Sequence, residues 1–100
     1  MNLMLATLSA LLLASIPAPP ALPEWGTREG DILCLAFAIQ PKPSDIVSGF
    51  YFGRLAMREQ RFTQAELDLA MERVKAEGDA LTPYGLNCYT QALLGVVPKS

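Results

Sequence analysis

The sequence predicts an all-α fold, a small bundle of about four short helices closed by one disulfide. Three observations carry this. A capping box opens an amphipathic run at residues 62–81, the apolar residues of 46–57 and 81–93 recur at helical rather than alternating spacing, and the only two cysteines stand far apart, at Cys34 and Cys88. A chain of 100 residues holds one domain.

The first helix is expected over residues 31–40, DILCLAFAIQ, between Gly30 and Pro41, with Asp31 as its N-cap. The run Ile32–Ile39 is apolar throughout, so its period does not separate helix from strand. Its Leu and Ala content favours a helix, while its shortness permits a strand.

The second helix is expected from Asp45 to about Gln60, after an N-cap signal at Ser44. It contains SGFYFGRL at residues 48–55, three consecutive aromatics between two glycines. Read as a strand, neither face is cleanly apolar. Read as a helix, Ile46, Gly49, Phe50, Gly53, Ala56 and Met57 form one stripe. Phe50, Tyr51 and Phe52 then point about 100° apart, which suits a helix at the centre of the fold. Gly49 and Gly53 each cost roughly 1 kcal/mol in a helix interior relative to Ala, so close approach by a neighbouring helix is expected there. The segment is short and is followed by Arg54, Arg58 and Glu59, which excludes a membrane-spanning Gly-x-x-x-Gly helix.

The third helix carries the clearest local signal. Thr63-Gln64-Ala65-Glu66 is a capping box, and Phe62 with Leu67 stands at the two positions of a hydrophobic staple. Leu67, Ala70, Met71, Val74 and Leu81 follow helical spacing, and the helix is expected to end near Gly78. Thr82-Pro83 restarts a fourth, with Leu81, Tyr84, Cys88 and Ala92 on one face and Leu86, Tyr89 and Leu93 on another, before Gly95 and Pro98 end it.

The N-terminus differs in kind. The first charged side chain is Glu24, and residues 3–16 read LMLATLSALLLASI. A bilayer span takes roughly 20 apolar residues, so this run matches the core of a secretory signal peptide. The expected organisation is a signal peptide at 1–21, an extended lead at 22–30 in which Trp25 docks on the core, and a helical domain at 31–100. Export places the protein in the periplasm or outside the cell, with no stable membrane span after cleavage. The oxidising compartment favours a Cys34–Cys88 bridge. Closing a loop of 88 − 34 = 54 residues stabilises by about 4 kcal/mol in the chain-entropy estimate, comparable with the net stability of a small domain.

Most chemistry is excluded by what the chain lacks. There is no histidine, the commonest general base and metal ligand. The two cysteines lack redox-motif spacing, and no phosphate loop, nucleophile elbow or calcium loop appears. We therefore expect no enzyme, no catalytic residue, no metal and no cofactor. A net charge of −2 gives no reason to bind nucleic acid. The exception in charge pattern is Arg54, Arg58 and Arg61, an i, i+4, i+7 ridge that, with Trp25, is the candidate surface for binding another protein.

The signal-like N-terminus, the run Asp31-Ile32-Leu33-Cys34-Leu35-Ala36, the Gly53-Arg54-Leu55 helix and the late Cys88 resemble a group of small exported bacterial proteins of unknown function, over most of residues 31–93. That resemblance implies an exported helical envelope protein and supplies no catalytic residue. More distantly, the layout is similar to the periplasmic acid-stress chaperones, with Cys34 and Cys88 carried over as the staple. This implies a chain that loosens when its carboxylates titrate, around pH 4. An inhibitor or immunity-type binding module is the competing expectation.

Overall fold

A computed structural model describes residues 21–40 and 43–95. Four α-helices lie in this region: α1 (Arg28–Ile39), α2 (Asp45–Ala56), α3 (Gln64–Glu77) and α4 (Thr82–Leu94). A 3-10 turn, Gly78–Leu81, joins α3 to α4 end to end, so three separately looped helical units result. No strand occurs among the described residues, and none of their helices is long and apolar enough to cross a membrane. The expected signal segment lies outside the described residues.

α1 is the central element. Every residue from Gly30 to Ala38 is buried, and α2, α3 and α4 all pack on it. This explains why its apolar run shows no period: a helix surrounded by partners needs no polar face. Its helical state agrees with the Leu and Ala content, but its start does not agree with the expected boundary. Thr27, not Asp31, is the N-cap, its hydroxyl accepting from the Gly30 amide at 3.0 Å. The extended lead therefore ends at Thr27. Asp31 sits one turn inside the helix and is buried for a different purpose, described below.

Local signals start α2 and α3 where expected, but α2 ends at Ala56, four residues short of Gln60. Ser44 caps α2 through the Val47 amide at 3.2 Å. At α3 the box is reciprocal: Thr63 Oγ1 accepts from the Glu66 amide at 3.1 Å, and Glu66 Oε1 accepts from the Thr63 amide at 3.0 Å. Leu67 and Val74 are buried, with Phe62 packed against the core. Of the two apolar faces expected for α4, the one with Tyr84, Cys88 and Ala92 is buried, together with Leu81 at its N-cap, and Leu86 and Leu93 of the other are exposed.

The rotation of α2 is the main departure. It buries Val47, Tyr51 and Leu55, while Ile46, Gly49, Gly53, Ala56 and Met57 face outward. A Cβ added at Gly49 or Gly53 would meet nothing within 4 Å, so these glycines receive no neighbouring helix. α2 is a flank of the bundle, not its centre. The selected face contains Tyr51, whose hydroxyl donates to the Cys88 carbonyl at 2.6 Å; the ring fills the interior and its one polar atom is satisfied there. Of the three aromatics only Tyr51 is fully buried; Phe50 is half-buried against it and Phe52 is exposed. The close approaches occur elsewhere. A Cβ at Gly85 would lie 2.7 Å from the Phe37 ring, and one at Gly30 would collide with the Glu24 carbonyl.

Candidate functional site

Cys34 of α1 and Cys88 of α4 form the expected disulfide, with Cα atoms 5.4 Å apart. Both are buried in the interior. Trp25 docks as expected, stacking on Tyr84 with ring centroids 4.0 Å apart. The lead that carries it is held by Tyr84, whose hydroxyl donates to the Pro23 carbonyl at 2.9 Å.

The arginine ridge is divided by the fold. Arg54 and Arg58 turn inward onto Asp31. Arg54 Nε lies 3.2 Å from both carboxylate oxygens, and Arg58 Nη2 lies 2.8 Å from Oδ2. Both guanidinium groups also donate to the Gly26 carbonyl, Arg58 at 2.6 Å and Arg54 at 3.3 Å. The i, i+4 spacing that suggested a ridge thus builds a two-pronged clamp, which joins α2 to α1 and to the turn before it. Asp31 is 1 % exposed, and a buried carboxylate requires such partners. Arg61 stands apart, exposed beyond the end of α2; its backbone carbonyl accepts from Arg28 Nη2 at 2.9 Å.

Arg28 forms a second tie. Its guanidinium grips Glu66 through both oxygens at 2.6 and 2.7 Å, and Nε donates to the Gln60 carbonyl at 3.1 Å. The hydrogen bonds from Arg28, joined by that from the Thr63 amide, hold the Glu66 carboxyl well below its usual range, at about 2. In the interior, burial pushes all three tyrosine hydroxyls up, Tyr84 to about 12, with the Asp31 charge adding to the effect at Tyr51 and Tyr84.

Among the described residues no group of three or more Cys, Asp or Glu is placed to hold a metal ion. The surface offers instead the outward face of α2. Met57 is 88 % exposed, Ile46 73 % and Phe52 56 %, with Gly49, Gly53 and Ala56 between them. Between Asp45 and Glu59 the only charged side chains are Arg54 and Arg58, and both point to Asp31. The face continues at Gly49 and Phe52 into a groove of about 480 Å³ between α1, α2 and the start of α3, lined by Leu35, Ile39, Phe62 and Leu67.

The sequence pattern found Ile46, Gly49, Gly53, Ala56 and Met57 of this face, with Phe50 in place of Phe52, and assigned the stripe to the interior. The competing stripe Val47-Tyr51-Leu55 is equally regular, and periodicity cannot rank two apolar faces of one helix. No family model, curated protein or solved structure matches this chain.

Proposed function

We infer that the protein is an exported, disulfide-bonded envelope component that works by binding another protein through the outward face of α2. The observation that carries this reading is the uncharged stripe of Ile46, Phe52 and Met57 around Gly49 and Gly53. Large apolar side chains left in water without a structural reason mark interaction surfaces. A Cβ added at Gly49 or Gly53 would meet only open space, so the backbone there is open to close approach by a partner. The Cys34–Cys88 bridge supports the exported part of the reading, since disulfides persist in oxidising compartments.

Two measurements test it. Intact mass of the protein recovered from the cell envelope, with and without reduction before alkylation, should report a shortened chain with no free thiols; a full-length chain with two alkylated cysteines would refute export. A photo-crosslinking residue at Met57 should capture a discrete partner that the same residue at the exposed Glu72 of α3 does not. Equal capture from both positions, or from neither, would refute the α2 face.

A further inference from the structure

The three packed layers around α1 are not held alike. α2 is tied to α1 by the Asp31 clamp, and α3 by the Arg28–Glu66 pair with its added bonds to the Gln60 and Arg61 carbonyls. α4 has no ion pair to α1 or α2 among the described residues. Its attachments include the Cys34–Cys88 bridge, the hydroxyl bonds of Tyr51, Tyr84 and Tyr89 to the carbonyls of Cys88, Pro23 and Phe37, the stacking of Tyr84 with Trp25 and Phe37, and the seating of Phe37 on Gly85. The chain enters α4 through the 3-10 turn at Gly78, whose φ of +49° is open to glycine and strained for other residues. Gly78 is exposed and its amide still closes the last turn of α3 on the Val74 carbonyl, so the change of direction between α3 and α4 falls at this glycine.

We propose that α4 is a disulfide-latched arm. With the bridge formed it closes over Cys34, Phe37 and Tyr51. With both cysteines as thiols it swings away about Gly78, while α1, α2 and α3 stay packed. This holds wherever the protein resides and does not depend on the α2 face. Opening the bridge takes two electrons and two protons. One thiolate of a dithiol reductant attacks a bridge sulfur, its second thiol resolves the mixed disulfide, and two cysteine thiols and an oxidised reductant result. Both sulfurs are buried in the closed form, so this attack takes place on the unfolded or opened chain, before α4 closes.

Hydrogen exchange by mass spectrometry on the full chain tests the proposal. Three samples are compared: the oxidised protein, the protein refolded in dithiothreitol, and the Cys34→Ala/Cys88→Ala variant, which keeps the site apolar. Amides of residues 84–94 should exchange at least about tenfold faster in the two unbridged samples, with those of α1 and α2 changed less than about threefold. Trp25 emission should shift to the red as its Tyr84 stack is lost. Loss of protection in all helices together, or unchanged protection in α4, would overturn it.

Discussion

The carboxylate of Asp31 lies 2.8 Å from the Arg58 guanidinium in the interior of the bundle, with Arg54 on its other side. Removing one member of a buried pair costs about 3–5 kcal/mol because the remaining charge is stranded. The arginines here are each about one-fifth exposed, so water compensates them more readily than it could Asp31. Asp31→Asn should therefore lower the urea unfolding free energy by about 3 kcal/mol, since an amide answers neither guanidinium charge. Arg58→Gln should cost less, about 1–2 kcal/mol, because Arg54 still holds the carboxylate. A larger loss from Arg58→Gln than from Asp31→Asn would contradict this arrangement. Arg58→Glu would bring a second carboxylate toward Asp31 and act on the fold, so it cannot report on partner binding.

Glycine substitutions separate the two glycine classes. Gly49→Ala and Gly53→Ala add a methyl group to open space on a regular helix and should each stabilise the protein by about 0.5–1 kcal/mol. Gly85→Ala presses on the Phe37 ring and should destabilise by about 1–3 kcal/mol. Gly30→Ala meets backbone and has nowhere to relax, so it should be the worst of the four. Thermal melts of the four variants give the ranking.

Acid acts through Glu66. Its carboxyl titrates at about 2 in the folded chain, below the ordinary glutamate value near 4.3. A depressed folded value means that its contribution is complete above pH ~4.3 and is lost as pH falls from there to about 2. The midpoint of thermal unfolding should fall across that window, and Glu66→Gln should flatten this fall while lowering stability at pH 7. An unchanged acid profile in the variant would remove Glu66 as the cause. Loosening of the kind shown by an acid-stress chaperone would thus be delayed at this tie to pH values well below 4.

Alkali acts on the opposite sign of shift. Burial raises the hydroxyls of Tyr51, Tyr84 and Tyr89, and Tyr84 reaches about 12. A raised folded value contributes stability that is complete below the unfolded value near 10 and is lost as pH rises through that of the folded state. Phenolate absorbance of the native protein should rise later than in the same chain in denaturant. If the two titrations coincide near pH 10, the three hydroxyls are not buried donors.

Short-range chemistry was legible in this chain, and rotation about helix axes was not. Ser44, Thr63 and Pro83 announce helix starts because capping involves a few neighbouring residues and needs no tertiary partner. On α4 the spacing offered two apolar faces, and the structure buries Leu81, Tyr84, Cys88 and Ala92 while leaving Leu86 and Leu93 exposed, because the bridge from Cys34 fixes the rotation. For the candidate site, the outward face of α2 was legible as a regular stripe but was read as interior, and the candidate surface was placed on the arginines. The arginine pattern suggested a surface, and a carboxylate 23 residues from Arg54 turned two of its three members inward.

The sequence by itself determined an all-α fold, the helical state of α2, α3 and α4, and the pair of cysteines available for one bridge, since these follow from local propensity, spacing and count, while for residues 31–40 it left a strand open. Tertiary structure alone decided which stripe of α2 faces the interior, that Asp31 is a buried anchor and not a cap, and that α1 is the centre. Each of those depends on where the polar atoms of Tyr51, Arg54 and Arg58 find partners on other helices, and those partners stand 37, 23 and 27 residues away.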